Sequence, residues 1–135
     1  MNAAERPCLL HRVLALAATL LLLGLLSMVE QLSVERLTSE AMEKTQEILF
    51  LLARNEPEQG LERARAMDAW WDEEAPTAEM IINHVATDDV RFTLSRLVAA
   101  LEMGDRDDAF VYAHELEGNI EHVLERQELS WQNLL

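Results

Sequence analysis

Seventeen consecutive residues without a charge, Val13–Val29 (VLALAATLLLLGLLSMV), set the first constraint on this 135-residue chain. As a helix the run spans roughly 25 Å at about 1.5 Å per residue, against a hydrocarbon core roughly 30 Å thick. Leu9 and Leu10 lengthen the apolar surface, Arg12 can reach back to the headgroups, and Glu30 marks the other edge. A helix buried in a soluble core keeps a polar face. Here only Thr19, Gly24 and Ser27 interrupt the run, and a bilayer tolerates all three. The chain therefore divides into a short tail (1–12), a transmembrane anchor (13–29) and a following domain (30–135).

A cleaved signal peptide shares the basic start and apolar middle of this pattern. The stretch after Gly24, LLSMVEQ, offers no small-residue A-x-A cleavage pair. Cys8 precedes the run, which excludes a lipid-modified cysteine following it. The pattern favours an uncleaved signal anchor. Arg6 and Arg12 before the run balance Arg36 and Lys44 after it, so the Lys/Arg count alone is tied. Arg12 abuts the membrane and Arg36 stands seven residues off, which predicts a cytoplasmic N-terminus and an extracytoplasmic domain at the cell membrane.

Residues 1–29 carry Glu5, Arg6 and Arg12, a net of +1, so the domain carries −15 of the chain's −14. A surface that acidic excludes nucleic acid and anionic lipid as partners of the domain. With Cys8 the single cysteine, the domain forms no internal disulfide and rests on packing alone. Gly and Pro are scarce, at four and three, and no strand-like alternation occurs. Leu, Ala, Glu and Arg dominate, which predicts an all-α fold.

The domain partly repeats itself at a shift of 49 residues. Leu37 falls on Ala86, Ala41 on Val90, Thr45 on Leu94, Ile48 on Leu97, Leu49 on Val98 and Leu52 on Leu101. After a polar break, Leu61 falls on Phe110, Ala64 on Ala113, Met67 on Leu116 and Trp71 on Ile120. Spacings of three and four mark one helix face. Each copy is thus an antiparallel helical hairpin, one over about 31–74 and the other over about 78–126, with a C-terminal tail at 127–135. Helices are expected at 31–53, 57–74, 78–102 and 106–126. Asn55-Glu-Pro-Glu58 and Asp105-Arg-Asp-Asp108 read as helix starts, and Ala75-Pro76-Thr77 as the break between copies. Nothing between Val29 and Leu37 stops a helix, so the anchor is expected to continue into the first hairpin as one helix of about 40 residues. Short turns favour a four-helix bundle-like arrangement. The Gly104–Ala109 turn gives it a weakly tetratricopeptide-like flavour, although the period exceeds that of such repeats.

The order of these elements carries a resemblance. An apolar N-terminal anchor, Trp70-Trp71 closing a helix, His84 four residues before Asp88, the Gly104-Asp105 turn, Leu116 and the closing Asn133-Leu134-Leu135 follow one another along the chain. In these the chain resembles the short, membrane-anchored bacterial proteins of the domain-of-unknown-function family numbered 4363. The resemblance implies the anchor and the helical fold, and no activity.

No nucleophile elbow, phosphate loop or H-E-x-x-H motif is present, so an enzyme is not expected and no catalytic residue or cofactor is assigned. His84 and Asp88 share a helix face at metal-ligand spacing. Two ligands fall short of a site, and a His–Asp hydrogen bond at the core edge explains them better. Trp70 and Trp71 diverge by about 100° on a helix. Trp71 continues the Leu61–Ala64–Met67 stripe into the core, which leaves Trp70 flanking or exposed. Trp70, with Trp131, Leu134 and Leu135 of the tail, forms the candidate partner-binding set; packing back on the bundle competes with that role for each. The expected function is a non-enzymatic protein–protein interaction or accessory module, held to the bilayer through 13–29 and facing a partner such as a multi-pass membrane protein. A divalent-cation-binding or sensing domain is the second reading. A self-associating stalk is the third, and the mixed stripe Ala41, Thr45, Ile48 does not indicate it.

Overall fold

The computed structural model describes residues 5–79 and 84–132, with side chains described over 11–77 and 85–125. Four helices follow in order: α1 (Glu5–Ala53), α2 (Pro57–Glu79), α3 (His84–Met103) and α4 (Arg106–Gln132). The fold is all-α, as composition and periodicity predict. The chain separates into two compact units, Met1–Ser33 and Val34–Leu135.

In the first unit, α1 already runs from Glu5, before the uncharged run begins, and is 49 residues long in all. It is long and apolar enough to cross a membrane, with a mean hydropathy of 2.3 over its most apolar 18 residues, none of them buried. Two of its hydroxyls bond to their own helix: Thr19 Oγ1 donates to the Ala15 carbonyl at 2.9 Å and Ser33 Oγ to that of Val29 at 2.8 Å. A hydroxyl so satisfied does not need water, which suits it to an apolar surrounding.

The second unit holds the core. Leu37, Ala41, Ile48 and Leu52 of α1 meet Ala64, Met67, Trp71 and Ala75 of α2. Val90, Leu94, Leu97 and Leu101 of α3 meet Ala109, Ala113, Leu116, Ile120 and Val123 of α4. Spacings alternate between three and four because each helix contributes one stripe. Polar groups in the core stay satisfied locally or across one helix pair. Thr38 Oγ1 donates to the Val34 carbonyl at 2.8 Å, and Thr45 Oγ1 to Ala41 at 2.9 Å with Met67 Sδ at 3.7 Å. Among the described residues the exception is Trp71 Nε1, buried with no partner.

The repeat holds at the level of single hydrogen bonds. Asn55 and Gly104 have positive φ, 64° and 73°, and stand 49 residues apart. Asn55 N donates to Leu52 O at 3.1 Å and Glu56 N to Leu51 O at 3.0 Å. Gly104 N donates to Leu101 O at 3.1 Å and Asp105 N to Ala100 O at 2.9 Å. Both hairpins therefore turn on the same left-handed helix end, with crossed bonds to the last turn. Arg106 Nη1 of the second turn donates to Asn55 Oδ1 of the first, and its Nη2 reaches Leu52 O at 3.4 Å. The position after each turn is again matched, Gly60 against Ala109. A Cβ at Gly60 would come 3.2 Å from Leu52 Cδ2.

Three expectations from sequence need correcting. Asn55 does not start α2. It terminates α1, because Asn is the side-chain-bearing residue that best tolerates the left-handed region, and Glu56 takes the position before Pro57. In the second copy Asp105 does cap its helix, accepting from Asp108 N at 3.1 Å. Ala75-Pro76-Thr77 is not a break: α2 continues through Pro76 to Glu79. Ala75 lies one turn past Trp71 and is fully buried, and that burial offsets the one backbone bond lost at Pro76. The expected tail is helical as far as Gln132; the expected boundary between the second and third helices runs into residues 80–83, outside the described residues.

Candidate interaction surface

Trp70 lies at the edge of the core, partly buried against it. Its ring centroid stands 6.1 Å from that of Trp71 at 57°. The Lys44 ammonium of α1 sits over its face at 4.9 Å, where the negative face of the indole attracts a cation. Trp70 thus closes the side of the first hairpin and offers only part of its ring to a partner. Trp71 is in the core, as the stripe predicts. The other members of the candidate set, Leu134, Leu135 and the side chain of Trp131, lie outside the described residues, and so does the side chain of His84.

Asp88 Oδ1 accepts from Arg91 Nη1 at 3.4 Å, and the same guanidinium donates through Nε to Asp72 of α2 at 3.1 Å. Arg91 thereby joins α2 to α3. Asp68, one turn before Asp72, is held above its ordinary pKa of 3.8, first by burial and then by the charge of Asp72, with Arg91 opposing both. Among the described residues no group of three or more His, Cys, Asp or Glu side chains converges as a metal site would need. His114 and His122 form exposed i,i+3 pairs with Glu117 and Glu125 at 3.1 and 3.3 Å.

The surface that sequence reasoning missed is the outward face of α3. Helix α3 is flanked on both sides. Toward α2 it makes Arg91–Asp72 at 3.1 Å and Arg65–Glu102 at 2.7 Å. Toward α4 it makes Arg96–Glu115 at 2.6 Å, and Asn119 Nδ2 donates to Thr93 Oγ1 at 2.9 Å. Between those edges, opposite the core stripe Val90–Leu94–Leu97–Leu101, the helix presents Val85, Phe92, Ala99 and Met103 to solvent. Phe92 is 64% exposed and Met103 77%. The spacing of seven, seven and four was the available signal. It reads as noise until the flanking helices are known, because single exposed apolar residues are ordinary on protein surfaces.

Neither the curated proteins nor the solved structures include a match to this chain. The family model described as Domain of unknown function (DUF4363) matches residues 28–134. That span takes in the whole second unit from Val34 to within one residue of the C-terminus, and the chain belongs to the DUF4363 family.

Proposed function

We propose that the protein is a single-pass, membrane-anchored interaction module, with a cytoplasmic N-terminus and an acidic helical domain that binds another protein outside the cytoplasm. One observation carries the reading: a four-helix unit that buries its apolar stripes thoroughly nevertheless leaves Phe92 64% exposed, in line with Val85 and Met103. Large apolar side chains aligned on one exposed face of an otherwise charged domain support a docking role. The apolar segment of α1 supplies the tether. The competing cation-binding reading is disfavoured by Asp88, whose carboxylate is already engaged by Arg91.

The test is site-specific photo-crosslinking in intact membranes, with the reactive residue placed in turn at Trp70, Phe92 and the exposed Glu62. Adducts to a second protein from Phe92 or Trp70 but not from Glu62 support the module. Absence of adducts from all three sinks it. The cation reading separately predicts that Zn²⁺, Ca²⁺ or Mg²⁺ raises the melting temperature; a flat response to all three is expected here.

A further inference from the structure

The outward face of α3 also carries information about what covers it. From Val85 to Met103 the stripe runs about 27 Å at about 1.5 Å per residue, five turns of helix. The bases beside it are committed within the domain: Arg65 to Glu102, Arg91 to Asp72 and Asp88, and Arg96 to Glu115, with Arg96 also lying over Tyr112 at 4.9 Å. The acids at its two ends are not so committed. Asp89, one turn from Val85, is exposed and makes no side-chain ion pair among the described residues. At the other end Met103 shares a shallow surface depression with Asp105, Arg106 and Asp107; Asp105 caps α4 and Arg106 bonds the neutral Asn55 and Leu52 carbonyl groups, so one negative charge is left in surplus there. The face is therefore an apolar ridge with surplus negative charge at both ends.

We propose that this face docks an amphipathic helical segment of another protein, about five turns long, whose apolar ridge is bounded by Lys or Arg at both ends. The proposal rests on the reading of the domain as an interaction module and names the chemistry of its partner. The charge pattern selects against a second copy of this chain. An antiparallel pair would set Asp89 of one copy against Asp105 and Asp107 of the other, and a parallel pair would set each acid against itself. Both arrangements place like charges together at each end of the contact, which disfavours the pairing. A basic segment reverses the sign at both ends and packs its own apolar face against the ridge between them.

The test uses the full chain in phosphatidylcholine nanodiscs, with empty nanodiscs as the reference. The probe is a fluorescent 20-residue helical peptide with Leu at every third or fourth position and Lys at both ends. A second peptide carries Glu in place of Lys, and a third carries Ser in place of Leu. The expected result is binding of the first peptide alone, at least tenfold weakened by Phe92→Asp and severalfold by Asp89→Lys with Asp107→Lys. Val111→Asp, on an exposed α4 position, is expected to leave it unchanged. Phe92 is exposed, so its substitution leaves the core intact, and the buried-Trp71 fluorescence verifies folding of each variant. Equal binding of the Lys and Glu peptides, retention by Phe92→Asp, or no binding at all overturns the proposal. A dimer in sedimentation that Phe92→Asp dissociates also overturns it, in favour of a second copy. Crosslinks from Trp70 without any from Phe92 would preserve the interaction module and remove only this surface.

Discussion

The paired turns at Asn55 and Gly104 permit a stability prediction with an internal control. Gly104 sits at φ 73°, and a Cβ built there meets nothing within 4 Å. The cost of Gly104→Ala is therefore backbone strain alone, about 1–2 kcal/mol for an L-residue in the left-handed region. The lower entropy of the unfolded alanine chain returns about 0.4–1 kcal/mol. The net is a destabilisation of about 1 kcal/mol, or roughly 4–8 °C for a domain near 100 residues. Gly104→Asn places at the second turn what the first turn already uses, and it is expected to cost less than half as much. Asn55→Gly relieves the strain at φ 64° but removes the acceptor of Arg106, so the two effects oppose and the change stays within about 0.5 kcal/mol. Asn55→Ala keeps the strain and loses the bond, and is expected to be the most damaging of the four. The assay is urea unfolding of the full chain in nanodiscs, followed by tryptophan fluorescence, since Trp71 leaves the core on unfolding. A Gly104→Ala variant as stable as the parent, or an Asn variant as unstable as the Ala one, refutes the reasoning.

Further predictions follow from single groups. Trp71→Ala removes the largest fully buried side chain and should cost about 3–5 kcal/mol. Trp71→Phe should cost distinctly less, because it also removes an indole N–H buried without a partner; equal losses in urea unfolding would show that the N–H is satisfied. Asp68 keeps its proton to higher pH in the folded than in the unfolded chain, so stability falls as pH rises through the window above 3.8 and the penalty is absent below it. Asp68→Asn should raise the melting temperature at pH 7 and lose that advantage as pH drops below about 3.8; an advantage independent of pH contradicts the assignment. For topology, Ser95→Cys in a Cys8→Ser background should react with a membrane-impermeant maleimide in intact cells, while Cys8 of the parent chain should not. The reverse labelling pattern would place the domain in the cytoplasm.

The apolar stripes were legible in sequence because burial has a period. Leu37 and Ala86, Ala41 and Val90, Ile48 and Leu97, and Met67 and Leu116 are buried in both copies. The turn at Asn55 was misread because Asn is favoured both before a helix and, in the left-handed region, after one. The repeat held the answer: 49 residues on stands Gly104, which is not a capping residue but a helix terminator. Pro76 reads as a break because a proline disfavours helical geometry in the residue before it, and the sequence does not show how firmly Ala75 is packed. The α3 face was illegible for a different reason. Which apolar residues of an amphipathic helix are surplus depends on where its neighbours lie, and that is tertiary information.

The match between the two hairpins also creates a hazard, which their differences remove. Two hairpins with the same turns and the same core spacing could exchange partners, α1 pairing with α4 while α3 meets α2 in the hairpin register in place of its native contacts through Arg91–Asp72 and Arg65–Glu102. At one pair of equivalent positions the first hairpin sets Lys44 over Trp70, while the second joins Thr93 to Asn119. At another, Glu47 meets Arg63 at 3.0 Å in the first, and Arg96 lies over Tyr112 in the second. Exchange would leave Glu47 facing Tyr112 without its guanidinium and would set Arg96 against Arg63, two cations where the correct pairs have an attraction. A chain built from two near-equivalent halves thus keeps each helix with its own mate through the side chains in which the halves disagree.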